Sequence, residues 1–282
     1  MSKSLVILVV HGMGDQSSSF DEKLKRQIRR QLDRERWSQI SWQPVYYQPV
    51  LQTNQNRMFT DMRDKGNIDW LRLRKFTLFG LSDAASMDYR RYEKNSIYQQ
   101  IQQSFIDALD SGFSDVDEKP ASVITIAHSL GGQVASNFIW DAQRTRVKYG
   151  VFRNDLPRVI GKRSVHDQFL RLKTMTHFFT SGCNIPLFIA GLPKRSIKPI
   201  ATNDRGWQFR WQNYYDPDDV LGWPLKPICP SYAKAIAVDK AISAGGHPAA
   251  WLSAWTPLSH NAYWEDKDFV KPLTRAIENT LS

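Results

Sequence analysis

The chain has 282 residues, 41% of them hydrophobic and 23% charged, which is enough apolar material for one large packed domain and too little charge for global disorder. No window approaches 18 consecutive apolar residues, which excludes a membrane-spanning helix on sequence grounds, and two cysteines without CxxC or Cys/His spacing support neither a disulfide framework nor a zinc site. The net charge is +10. Residues 144–173 carry nine basic side chains against Asp155 and Asp167, a patch suited to anionic lipid headgroups or phosphorylated groups. No zinc-finger, RRM or helix-turn-helix signature accompanies it, so no nucleic-acid partner is expected.

In chain order, Leu5 to Val10 (LVILVV) is a continuous β-branched run, the pattern of a central parallel strand. It is too short for an export signal and no small-residue cleavage site follows, so a cytoplasmic setting is expected. A loop, His11 to Ser19, leads to a helix over Phe20–Trp37, with Leu24, Ile28 and Leu32 forming one buried stripe. Ile40 to Val50 reads as a strand near a sheet edge, because Pro44 and Pro49 interrupt it. Residues 57–92 lack a clean period and read as an excursion beside an active-site cleft. A helix from Asn95 to Leu109 follows, with Ile97, Ile101, Phe105, Ala108 and Leu109 on one side.

Ser122 to Ala127 (SVITIA) is a second buried strand, and it runs into His128-Ser129-Leu130-Gly131-Gly132 and a helix through Gln143. Core strands over Met175–Thr180 and Phe209–Tyr215 follow, the latter ending in Asp216-Pro217-Asp218-Asp219. An amphipathic helix spans Phe269–Leu281. This alternation of strands and helices predicts the α/β class, with a mainly parallel sheet covered on both faces. The whole of 1–282 is read as a single domain, with cap or lid insertions at about 57–92 and 144–173.

Ala127-His128-Ser129-Leu130-Gly131 is the strongest local signal. A serine placed on a sharp strand-to-helix turn needs small residues two positions before and after it, where backbones approach closely, and this segment supplies Ala127 and Gly131 in the right context. Such a serine needs a proton acceptor. Of six histidines, His260 lies after the acidic turn and shortly before the last helix, and His247 is its rival. Asp219 is the favoured acid and Asp216 the alternative. His11-Gly12-Met13-Gly14 follows the first strand, where the Met13 N–H can join that of Leu130 as an oxyanion donor.

The segments VVHGMG (9–14), TIAHSLGG (125–132), TSGCNIP (180–186), NYYDPDDVLGWPL (213–225) and SHNAYW (259–264) together resemble the α/β-hydrolase superfamily over essentially the whole chain. The acidic turn and histidine loop are also similar, loosely, to those of intracellular phospholipases carrying a DDHD segment. The resemblance implies an α/β-hydrolase fold with a Ser129–His260–Asp219 triad, an oxyanion hole of the Met13 and Leu130 N–H groups, and no cofactor or metal. It implies a small-molecule or lipid ester as substrate, with an anionic membrane surface as the partner suggested for residues 144–173. An amidase, peptidase or thioesterase would use the same triad, and a non-catalytic interaction protein would use the same scaffold.

Overall fold

The computed structural model describes residues 2–66, 68–156, 164–204, 206–244 and 262–282, with backbone alone at 72 and 76. Its elements in chain order are β1 (Leu5–Val10), α1 (Glu22–Gln31), α2 (Arg34–Ser38), β2 (Ile40–Val45), α3 (Gln48–Lys65), α4 (Leu71–Asp88), α5 (Ile97–Asp115), β3 (Ser122–His128), α6 (Leu130–Ala142), α7 (Val165–Leu170), β4 (Met175–Ser181), α8 (Ile185–Ile189), the two-residue strands β5 (Asn203–Asp204) and β6 (Trp207–Gln208), β7 (Arg210–Tyr215), α9 (Pro230–Ala235), β8 (Ile236–Ala241) and α10 (Lys267–Leu281).

Six strands form one sheet in the order β2-β1-β3-β4-β7-β8, and every pairing is parallel. This is the α/β class with a parallel sheet. The side chains of β1 alternate between two cores, as strand geometry requires. Val6, Leu8 and Val10 pack with Phe105 of α5 and Phe138 of α6, whereas Leu5, Ile7 and Val9 pack with Leu24 and Ile28 of α1 and Leu273 and Ile277 of α10. Both faces are therefore covered, which is why β1 reads as an unbroken apolar run. Among the described residues, no helix is long and apolar enough to cross a membrane.

Several boundaries differ from the sequence reading. The strand expected over Ile40–Val50 stops at Val45, and Pro49 starts a helix instead of marking a strand. Proline lacks an N–H that the first helical turn would leave unbonded anyway. Pro44 does lie in β2, an edge strand of the sheet. The helix expected over Phe20–Trp37 is two helices, because the Asp33 side chain caps α2 by accepting the Arg36 N–H. Of the excursion expected over 57–92, the described residues up to Asp88 belong to a helical hairpin, α3 and α4, that already begins at Gln48, and 89–92 form turns after it. The edge strand β8 has no counterpart in the sequence reading.

Candidate active site

Ser129 stands between β3 and α6 with φ 54° and ψ −126°. A residue with a Cβ pays roughly 1–3 kcal/mol for such a conformation. Hydrogen bonds on both sides enforce it: the Ser129 N–H donates to the Ser181 carbonyl at 2.9 Å, and the Gly132 N–H donates to the Ser129 carbonyl at 2.9 Å. Ala127 sits in register between Val10 and Thr180, so it has strand backbone on both sides. A Cβ on Gly131 would strike the His11 carbonyl oxygen and lie 2.9 Å from that of Val10. One on Gly132 would lie 2.7 Å from the Cys183 sulfur. The pair of glycines thus lets α6 start flush against the ends of β1 and β4.

The loop after β1 runs beside this serine, since a Cβ on Gly12 would lie 2.8 Å from that of Ser129. His11 holds the loop. Its Nε2 accepts the Tyr47 N–H at 3.2 Å, so the proton resides on Nδ1, which donates to the Gly12 carbonyl at 2.7 Å. Burial pushes the His11 pKa down to about 4, keeping the ring neutral. Tyr47 stacks on it with ring centroids 3.9 Å apart, and the Tyr47 hydroxyl donates to the His11 carbonyl at 3.0 Å. Among the described residues, the Met13 and Leu130 N–H groups have no acceptor.

The hairpin grips the same loop. The Gly14 N–H donates to Asp83 Oδ2 at 3.2 Å, Gln55 donates to Asp83 Oδ1 at 2.5 Å, and Gly80 packs against the Met13 sulfur. Asp15 takes a hydrogen bond from Gln52 and an ion pair from Lys75. Burial raises the Asp83 carboxyl to about 6. A carboxyl with a raised folded pKa favours folding below its unfolded value of 3.8, and that contribution is lost as pH rises through about 6. Asp83→Asn removes this penalty, and the buried, unpartnered Gln55 Oε1 can turn to accept the new amide proton. The stability difference between variant and wild type therefore shifts in the variant's favour by on the order of 2 kcal/mol between pH 4 and pH 8. Urea denaturation at several pH values measures it, and a constant difference would remove Asp83 as the titrating group.

After β7 the chain turns through Asp216–Asp219. The Asp219 N–H donates to the Asp216 carbonyl at 3.1 Å, and the Asp219 carboxylate accepts the Leu221 N–H at 3.0 Å and the Tyr263 hydroxyl at 2.8 Å. That hydroxyl also accepts the Asp216 N–H at 2.8 Å. Burial and the neighbouring Asp219 carboxylate drive the Tyr263 phenol far above its ordinary pKa, so it stays a donor. The Asp216 carboxylate is occupied differently, accepting the Asp218 N–H at 2.9 Å and an N–H of Ala244, and burial raises its pKa. Beneath the turn, Asp239 accepts the Leu225 and Lys226 N–H groups and an Asn213 amide proton, pinning the exit of the loop to β8.

Tyr263→Phe leaves the buried Asp216 N–H without its acceptor and removes the hydroxyl hydrogen bond to Asp219. It is expected to cost about 1–3 kcal/mol of stability. If Asp219 orients a catalytic base, kcat falls by up to about 10²-fold at nearly constant KM. Thermal melts and ester kinetics on the purified variant check both, and unchanged kcat would show that the Tyr263 hydroxyl does not position Asp219 for the reaction.

The structure brings Ser129, Leu130 and Met13 together at the carboxyl ends of β3 and β1, the edge where parallel α/β sheets carry ligands. Asp219 leaves the same edge at β7. Its loop reaches the elbow through Gly182, the residue after Ser181, whose Cα would lie 3.0 Å from a Cβ on Gly222. His260 and His247 lie outside the described residues. Tyr263, three positions after His260 in the sequence, is bonded to Asp219. Sequence reasoning missed Tyr263 and Asp83; the burial of an aromatic beside the histidine motif was the one available signal for the first.

In the basic segment, several cations face inward. Arg171 pairs with Asp167 at 3.1 Å and donates to the Ala142 carbonyl; Arg153 pairs with Asp155 and donates to the Tyr92 carbonyl; Arg144 stacks 3.0 Å from the Trp140 ring. Arg158, Lys162 and Arg163 lie outside the described residues. Comparison with protein-family models and with curated proteins gives no match to this chain.

Proposed function

We propose that the chain is a serine hydrolase of the α/β-hydrolase fold that cleaves carboxylic esters through an acyl-enzyme. The observation that carries this reading is the backbone of Ser129, a strained non-glycine residue held between a buried parallel strand and the N-terminus of α6. The strand order supports the fold assignment, with the serine-bearing strand at the centre of an all-parallel sheet and the acid two strands away.

In this reading His260 removes the Ser129 proton as Oγ attacks the ester carbonyl carbon, and the Asp219 carboxylate orients the imidazole and stabilises its charged form. Negative charge gathers on the former carbonyl oxygen, where the Met13 and Leu130 N–H groups and the positive end of α6 meet it. The tetrahedral intermediate collapses, the bond to the alcohol oxygen breaks, and His260 protonates the leaving alcohol. Water then attacks the acyl-enzyme by the same route in reverse and restores Ser129. Neutral His11 and protonated Tyr263 hold the donor loop and the acid without adding charge beside the nucleophile.

The test is labelling with a fluorophosphonate followed by peptide mass analysis, alongside turnover of p-nitrophenyl esters of increasing chain length. A single adduct on Ser129 with measurable turnover supports the proposal, and the chain-length profile sizes the acyl pocket. Folded protein that neither labels nor turns over any of these esters would favour a binding role on the same scaffold.

A further inference from the structure

The α3–α4 hairpin carries apolar side chains on its outer face as well as its inner one. Towards the body of the protein it buries Leu51, Phe79 and Met87 together with Gln48, Gln55 and Asp83, and towards solvent it exposes Met58, Met62, Leu71, Leu73, Leu81 and Trp70, the last two at 67% and 77% of their surface. A groove of about 890 Å³ runs between the two helices, with Phe59, Ile68 and Leu78 in its walls. Helices that face water on one side bear their apolar stripe on the other, and a contiguous exposed apolar face of this kind marks a contact surface.

Charge selects the occupant. From Arg57 to Lys75 the sequence has six basic and three acidic residues. Arg57 and Arg74 are exposed and, among the described residues, lack a carboxylate partner. A second copy docking face to face would oppose two basic rims, which disfavours self-association. An apolar face carrying a tryptophan in its connecting loop and cations around its edge matches the boundary between headgroups and acyl chains of an anionic bilayer.

We propose that this hairpin docks the protein on an anionic phospholipid surface, with Trp70, Leu73 and Leu81 immersed at the headgroup boundary and Arg57 and Arg74 on the phosphates. The inner face of the hairpin bonds Gly14 and packs on Met13, so the docked hairpin would link the lipid layer to the loop beside Ser129. The docking surface stands independently. The substrate class that follows from it, an ester held in an anionic membrane, rests on the hydrolase reading above.

Co-sedimentation of the full chain with phosphatidylcholine vesicles, with and without phosphatidylserine, tests the surface. Wild type is expected to bind the anionic vesicles and to bind neutral ones at least roughly tenfold more weakly. Trp70→Ser/Leu73→Ser/Leu81→Ser should lose roughly tenfold or more in partition while keeping its melting transition. Arg57→Gln/Arg74→Gln should lose the preference for phosphatidylserine, and Arg146→Gln/Lys148→Gln, on the other basic segment, should change nothing. Three results overturn the proposal: no binding by wild type, undiminished binding by the triple variant, or a wild-type dimer that the triple variant breaks. Fluorophosphonate labelling and turnover of the p-nitrophenyl ester series, followed in parallel, separate the two readings. Vesicle binding without labelling or turnover keeps the docking surface and removes the hydrolase, and turnover without vesicle binding does the reverse.

Discussion

Ser129→Ala is expected to lower ester turnover by about four orders of magnitude or more and to abolish fluorophosphonate labelling, with little change in melting temperature. Removing Oγ removes the bond-forming atom, whereas the oxyanion donors and the substrate site survive and account for whatever rate remains. The fold should be indifferent, because the strained backbone is held by main-chain bonds to Ser181 and Gly132 that alanine keeps. Ser129→Gly separates the two roles further. Glycine adopts φ 54° and ψ −126° without steric cost, so this variant should be inactive and more stable, by about 1 kcal/mol after its greater unfolded-state entropy is counted. A Ser129→Gly variant less stable than wild type would show that the elbow is not strained.

Gly131→Ala is expected to cost about 3 kcal/mol or more, near the upper end for overpacking, and to lower the melting temperature by roughly 10 °C. The added methyl meets the carbonyl oxygens of His11 and Val10, which are backbone atoms at the end of a central strand and cannot turn aside. The neighbouring Gly132→Ala meets only the Cys183 sulfur, a side-chain atom. Its cost should fall by more than half when Cys183→Ala is added, while no side-chain substitution should rescue Gly131→Ala. Thermal melts of the two single variants and the double variant measure this. Similar rescue of both would mean that α6 can move as a body away from β1.

What the sequence revealed follows from what is local. β1, β3, β4 and β7 lie between other strands with helices over the sheet, and they are read from short runs rich in β-branched and aromatic residues, while the strand-to-helix turn at Ser129 is read from five neighbouring residues. Boundaries set by one capping atom were harder: Asp33 splits one amphipathic stretch into two helices, and Pro49 serves a helix start where it looked like a strand interruption. β8 went unseen because an edge strand with half its residues exposed (Ile236-Ala237-Val238-Asp239-Lys240-Ala241) has neither a continuous nor a cleanly alternating pattern. The hairpin had no period for a related reason, since it has apolar residues on both faces, Leu51, Phe79 and Met87 inward and Met58, Leu73 and Leu81 outward, with glutamines and an aspartate also buried. Tyr263 on Asp219 and Asp83 on the Gly14 N–H join residues 44 and 69 positions apart, and no window on the sequence contains both partners.

The pairing of β1 also governs how the chain acquires its structure. One edge of β1 can be covered as soon as Ile40–Val45 has been made, but the other waits for Ser122–His128, after the whole hairpin and α5 have been synthesised. Non-local parallel pairing of this kind slows folding, because loop-closure entropy is lost before the contacts that compensate it form. During that interval LVILVV, six consecutive apolar residues without a charge or proline, presents an open strand edge on the nascent chain. Refolding yield should therefore fall steeply with protein concentration, and a truncated chain ending before β3 should aggregate where the full chain stays in solution.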